Sequence, residues 1–390
     1  MPTKKHKKHA ALNRPDLGVF GRNEWAIIGT PCGNIKDLAY RLTQALSPEW
    51  KVAYVDADHK DEGEQPGASA LAVGGSLAYT DKIDFHRLDR REKLDTYQYR
   101  ALFNNASLVL VNGNHFTAKS QVVVIDPKKE DSLKRKLDRL TNVELILLTE
   151  GVTEIPAFLK DHLTKAGHQF TNLPIHQFTN FEKTEAFFRE KMKASVPPLK
   201  GMVLAGGKSR RMRQDKSLLE YHGMPQREYM FRQLTEVCGE VFLSCRPDQT
   251  ARLLLDFPLM VDSFLHLGPM GALLSAFRKE PDTAWLVVAC DLPLLDESTL
   301  RYLVENRDPS AIATSFRSPE NEFPEPLVAI WEPRSYLVLM QFLAQGFSCP
   351  RKVLINSPVH LLDAPNPDVL RNVNTPEEVQ EVMKLLVKKV

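Results

Sequence analysis

Short apolar runs alternate with longer stretches of helical spacing along most of the chain, the signature of repeated βα units. In the first half, residues 25–28, 52–55, 108–111, 122–125 and 145–148 predict buried strands, and 37–46, 132–140 and 155–166 predict helices. Residues 61–79 are polar and rich in small side chains, and predict a long loop. Residues 182–200 read as a charged helical stretch ending in Val196-Pro197-Pro198, where successive prolines stop a helix and stiffen the backbone beyond it. The alternation restarts at 202–204, with strands predicted at 241–243, 259–261, 285–289, 311–314 and 327–330. Helices are predicted at 227–237, 271–278, 297–306, 334–344 and 376–388. The chain therefore reads as a basic tail (1–22), an α/β domain (23–180), a helical linker (181–198) and a second α/β domain (199–390). Each domain is expected to be three-layered, an open sheet covered by helices, with ligands beyond the carboxyl ends of its strands.

Composition narrows the function. A length of 390 residues suits two domains, and 43% hydrophobic with 26% charged residues is ordinary for a soluble globular protein. Lys+Arg 51 against Asp+Glu 49 lacks the basic excess of a protein that coats nucleic acid. Apolar runs such as Trp285 to Cys290 fall far short of the ~20 residues that cross a bilayer. The opening MPTKKHKKH has no apolar run behind it, so it reads as a solvated tail rather than a secretory signal. Cys32, Cys238, Cys245, Cys290 and Cys349 show neither a C-x-x-C pair nor zinc spacing, which fits thiols in a reducing cytoplasm.

Two segments resemble phosphate-binding P-loops without completing one. Gly207-Lys208-Ser209 has Met202 where the motif's first glycine belongs. Gly29-Thr30-Pro31-Cys32-Gly33-Asn34-Ile35-Lys36 follows a strand and opens a helix, but Asn34, Ile35 and Lys36 replace the motif's Gly, Lys and Ser/Thr. With 25–29, 52–60 and 108–113, this segment makes residues 22–180 resemble the small P-loop adaptor of molybdopterin-guanine dinucleotide biosynthesis. Without the phosphate-binding lysine, a structural or docking role is favoured over nucleotide hydrolysis.

The chemistry concentrates at 204–216, LAGGKSRRMRQDK, directly after a strand. Gly206 and Gly207 let the backbone approach a ligand, and Lys208, Arg210, Arg211, Arg213 and Lys216 supply charge for a triphosphate. The plain alternative is a solvent-exposed basic turn. Asp291 closes an apolar strand at Val287-Val288-Ala289-Cys290-Asp291, a costly place for a carboxylate unless it binds a cation or accepts hydrogen bonds. Asp262 repeats that arrangement, and Gly268-Pro269-Met270-Gly271 turns into a helix. Near the end, Thr375, Pro376 and Glu378 make a capping box, which leaves Asn372 and Asn374 to reach a metal-bound phosphate.

These motifs resemble the molybdenum cofactor guanylyltransferases over residues 199–390: LAGGKSRRMRQDK, then Cys290-Asp291-Leu292-Pro293, then Asn372-Val373-Asn374-Thr375-Pro376-Glu377. The resemblance implies a Rossmann-like nucleotidyltransferase fold of the nucleotide-diphospho-sugar transferase type. It implies transfer of GMP from GTP to molybdopterin-bound molybdenum with Mg²⁺, and contact with molybdoenzyme apoproteins or other cofactor-biosynthesis proteins. Leu204, Ala205 and Gly206 would line the guanine site, and Gly207, Lys216 and Asp262 would bind the nucleotide. Asp291 would bind Mg²⁺, with Arg211 and Lys216 offsetting phosphate charge. LAGG, rather than the LAAG of the cytidylyltransferases, is similar to the GTP-using branch. Arg213 departs from a usual glycine, the motif is one residue short before Asp215, and Leu243, followed by Ser244, falls where the family has asparagine. Cytidylyl transfer, another nucleotidyl transfer, and a non-catalytic scaffold carrying the cofactor are the alternatives.

Overall fold

The computed structural model describes residues 21–57, 70–165, 167, 173–206, 215–253 and 257–387. Two compact units divide the chain, the boundary falling between Arg189 and Glu190.

The first unit contains β1 (Asn23–Ile28), α1 (Cys32–Leu46), β2 (Val52–Val55), β3 (Leu77–Asp81), β4 (His86–Arg90), α2 (Thr96–Leu102) and β5 (Leu108–Asn112). It continues with β6 (Ser120–Ile125), α3 (Glu130–Lys134), β7 (Val143–Leu148), α4 (Ala157–Lys165), β8 (Ile175–Gln177) and α5 (Phe181–Ala194). Six strands make a parallel sheet in the order β2-β5-β1-β6-β7-β8. β5 and β6 are buried at every residue, as their unbroken apolar runs require of central parallel strands. α1 buries Ile35, Leu38, Ala39, Leu42 and Leu46, one helical stripe. At Gly29, with φ of 101°, an added Cβ would lie 2.3 Å from the Val124 carbonyl oxygen, so the chain can leave β1 this closely only with glycine.

Several expectations need correction. α1 begins at Cys32, not 37, because Gly33 and Asn34 hide its first turn from a reading of apolar spacing. The helix expected at 132–140 is broken into α3 and a 3₁₀ turn at Leu137–Arg139. The loop expected at 61–79 lies partly outside the described residues, and its end forms β3, paired with β4 in an exposed hairpin. Polar residues on both faces of that hairpin conceal its alternation. The helical stretch expected at 181–198 carries α5 over 181–194, whose Phe188 meets Trp25 of β1 edge-on at 5.3 Å.

The second unit contains β9 (Leu199–Leu204), α6 (Gln226–Thr235), β10 (Val241–Cys245), α7 (Thr250–Leu253), β11 (Leu259–Val261), α8 (Pro269–Lys279) and β12 (Ala284–Ala289). After these come α9 (Glu297–Glu305), β13 (Ala313–Arg317), β14 (Pro324–Trp331), α10 (Ser335–Ala344), α11 (Pro350–Ile355), β15 (Val359–Leu362) and α12 (Pro376–Val387). The sheet order is β11-β10-β9-β12-β14-β13-β15. The first four strands are parallel, and β14 runs antiparallel to both β12 and β13, a reversal the apolar pattern did not reveal. β12 is fully buried, and its Trp285 faces Trp331 of β14 in register. From β9 the chain winds one way through β10 and β11, then returns to place β12 on the other side. The crevice between the carboxyl ends of β9 and β12 is therefore the topological switch point, where open α/β sheets bind ligands.

Candidate functional site

A cavity of about 890 Å³ opens at that switch point. Its wall includes Leu204, Ala205 and Gly206 after β9, Ser244 and Arg246 at the end of β10, Asp262 after β11, and Cys290 and Asp291 after β12. Asp215, Lys216 and the Phe264–Pro269 turn into α8 complete the wall, so most of it comes from the ends of parallel strands. A Cβ added at Gly206 would meet no atom closer than 3.7 Å, so the chain itself does not require glycine there, and the close approach it permits is toward the cavity. Gly207 and Arg211 lie outside the described residues.

Asp291 is the electrostatic centre of the site. Among the described residues its Oδ1 is buried without a hydrogen-bond partner, and its Oδ2 lies 3.9 Å from Lys216 Nζ. Burial pushes this carboxyl up, with Lys216 opposing the shift. A carboxylate oxygen enclosed in this way costs free energy unless a cation or donor reaches it. Lys216 is held in place from the far end of the chain: Nζ donates to Val373 O at 2.9 Å and to Asn374 Oδ1 at 2.7 Å. The Val373 N–H in turn donates to Asp291 O at 2.8 Å. Burial, with Asp291 and Glu378 nearby, pushes Tyr221 up to about 12.

The two asparagines have different surroundings. Asn374 bonds Lys216, whereas Asn372 lines a separate 60 Å³ cavity with Glu325 and Arg351. The capping box is present, with Glu378 accepting from the Asn374 and Thr375 backbones and Thr375 Oγ1 accepting from Glu378 N–H.

Ser244 and Arg246 are site residues that the sequence reading passed over. Leu243 is fully buried in the core, and the next residue on β10 faces the cavity, as strand alternation dictates. Ser244 Oγ donates to Asp262 Oδ1 at 3.1 Å, and burial pushes Asp262 up to about 6 against the influence of that bond and of Arg246. Arg246 bonds Asp248 through two 3.0 Å contacts and donates to the Gly206 carbonyl. Its position just past a parallel strand was the available signal. His266 adopts a φ of 64° in the turn before α8, an uncommon backbone state for a residue with a side chain.

The residues fit a hard divalent cation. An orphaned carboxylate oxygen suits such an ion, and no cluster of three or more His, Cys, Asp or Glu forms a metal cage among the described residues. No helix among the described residues is long and apolar enough to cross a membrane.

Comparison with known proteins adds a family. Residues 201–358 match the MobA-like NTP transferase domain. A molybdenum cofactor biosynthesis bifunctional protein of Synechocystis sp. is 34% identical over 193 residues, covering 49% of this chain and 56% of that protein. The chain thus spans little more than half the length of that relative. Molybdenum cofactor guanylyltransferases of Pseudomonas putida and Shewanella amazonensis are 29% and 30% identical, over 49% and 47% of this chain. These matches cover 100% and 95% of the two enzymes.

Proposed function

Because the chain belongs to the molybdenum cofactor guanylyltransferase family, we propose that it transfers GMP from GTP to the terminal phosphate of molybdopterin-bound molybdenum, releasing pyrophosphate. The observation that carries this reading is the buried Asp291 Oδ1, unpartnered among the described residues, beside Lys216 at the switch-point cavity. Leu204, Ala205, Gly206 and Gly207 line the base pocket in this reading, and Asp262, positioned by Ser244, holds the nucleoside. Asp291 is the residue that would hold Mg²⁺, which when bound supplies positive charge against the α-phosphate and the departing pyrophosphate.

The acceptor phosphate needs no general base. A phosphate monoester has its second pKa near ~6, so at pH 7 it is already largely dianionic. The chain's task is to bring two anions together. Lys216 contributes a cation held by Val373 and Asn374, and Arg211 adds a second from the glycine-rich loop. The first unit serves in this proposal as a P-loop-derived docking module for molybdoenzyme apoproteins or other cofactor-biosynthesis proteins. None of the five cysteines is in a disulfide, which suits a cytoplasmic location.

Pyrophosphate release with Mg²⁺, molybdenum-loaded molybdopterin and GTP, CTP or ATP tests the reaction. Release with GTP alone supports guanylyl transfer, and preference for CTP moves the chain to cytidylyl transfer. Silence with every nucleotide, using acceptor proven competent with another enzyme, overturns the catalytic reading.

A further inference from the structure

The turn that carries Asp291 is tied by its backbone while the carboxylate itself is left free. Asp291 O accepts from Val373 N–H at 2.8 Å, Leu292 O from Leu295 N–H at 3.2 Å, and Pro293 O from His222 Nε2 at 2.8 Å. A carbonyl oxygen only accepts, so the His222 hydrogen in this bond sits on Nε2. Val373 and Leu295 give backbone donors, and His222 gives the one side chain of the three. Residues 292–295 are buried, so the turn is enclosed as well as tied.

His222 is held as firmly as the turn it holds. It lies in the loop between Lys216 and α6, closed by the Gln226 N–H to Leu219 O bond at 2.8 Å and by a bridge between Glu220 and Pro225. Its ring stacks on Tyr229 of α6, with centroids 3.7 Å apart and planes 12° from parallel. Tyr229 packs in turn against the core of the second unit. An imidazole stacked in this way loses contact if it swings aside, so Nε2 stays aimed at Pro293 O. The same stretch of chain carries Lys216, and so reaches both the Asp291 carboxylate and the carbonyl beyond it.

A buried acceptor without a donor gains from any local shift that finds it one. Such an arrangement persists only where its surroundings over-determine it. Among the described residues Asp291 Oδ1 has no partner, and the carbonyls of Asp291 and Pro293 fix the turn on both sides of Leu292. On the reading of Asp291 as the residue that would hold Mg²⁺, we propose that His222 is its positioning residue: the bond to Pro293 O holds the turn where Asp291 lines the cavity with a free carboxylate oxygen. His222 is not among the described residues that line the cavity, so it acts through the turn.

The test compares the full-length wild type with His222→Phe, which keeps a ring against Tyr229 and loses the donor, and with His222→Gln, whose amide restores a donor of similar reach. Hydrogen exchange followed by mass spectrometry reads residues 290–296, and electron paramagnetic resonance reads Mn²⁺ binding in the presence of GTP. In His222→Phe, exchange at 290–296 is expected to be about 10-fold faster and Mn²⁺ affinity about 10-fold weaker. The kcat for pyrophosphate release is expected to fall about 10-fold, with KM for GTP within about 2-fold of wild type. His222→Gln is expected to recover each quantity to within about 3-fold. Circular dichroism checks the fold. If the Phe variant does not fold, His222→Asn, whose amide is too short to reach Pro293 O, takes its place. A folded variant lacking the donor that keeps wild-type exchange and Mn²⁺ affinity overturns the proposal, as does a His222→Gln as impaired as His222→Phe. If the wild type binds Mn²⁺ with GTP and releases no pyrophosphate, the transfer reading fails, while exchange and Mn²⁺ affinity still decide the role of His222.

Discussion

The two sheets meet the same architectural problem at their switch points and resolve it in opposite ways. In the first, β1 lies beside β6, and Thr30 Oγ1 after β1 donates to Asp126 Oδ2 after β6 at 2.8 Å, closing the crevice with a buried hydrogen bond. The neighbouring strand ends are tied together as well: Asp56 Oδ1 accepts from Asn112 at 2.7 Å and Asp56 Oδ2 from Tyr54 at 2.6 Å. In the second, β9 lies beside β12, and among the described residues Asp291 Oδ1 has no donor above a cavity of about 890 Å³. A polar edge whose groups satisfy one another has little left to offer a ligand. One that leaves a buried carboxylate oxygen unpaired is stabilised by whatever pairs it. The strand-and-glycine pattern is thus shared, and among the described residues the two edges differ in how their carboxylates are paired.

The comparison breaks first at Asp291. Asp291→Ala is expected to lower kcat by about 10³-fold while changing GTP affinity less than about 10-fold, read from steady-state turnover and equilibrium binding. Turnover within 10-fold of wild type would remove the distinction between the edges. Lys216→Ala is expected to cost about 10²-fold in kcat/KM, with both kcat and KM for GTP affected, because the ammonium meets phosphate in the ground state and in the transition state.

Asp262 sharpens the comparison through pH. The unfolded chain releases this proton near ~4 and the folded one near about 6, so between those values only the folded state holds it. Stability therefore falls as pH rises through this window. Asp262→Asn keeps an acceptor for Ser244 and is expected to remove that slope in urea unfolding at pH 4 and pH 7. An identical slope in the variant assigns the effect elsewhere. In the first unit, Asp126→Ala leaves the buried Thr30 hydroxyl without its acceptor and is expected to cost about 1–2 kcal/mol of stability. GTP turnover should stay unchanged, and a parallel loss of turnover would show that the closed edge takes part in the reaction.

The order of βα units was legible because buried parallel strands are continuous apolar runs, as at 108–111, 122–125 and 285–289. The β3–β4 hairpin was not, since it is exposed on both faces and offers no buried stripe. The antiparallel β14 was hidden for another reason: apolar content reports burial and carries no strand direction. At the site, Asp262, Asp291 and Lys216 were readable from motifs, and the structure brings them around one cavity. Ser244 required knowing which face of β10 looks outward, and the closure of Thr30 onto Asp126 spans 96 positions of sequence. Asn374 bonds Lys216, while Asn372 belongs to the cavity beside Arg351.

The most direct measurement is to crosslink a photoreactive GTP analogue to the full chain with Mg²⁺ present and map the labelled peptides. Label is expected on peptides covering 204–216, 244–248 and 262–269, and to be displaced by excess GTP. Displaceable label on residues 29–36 and 112–115 instead would place the nucleotide at the closed edge and contradict the assignment of the site.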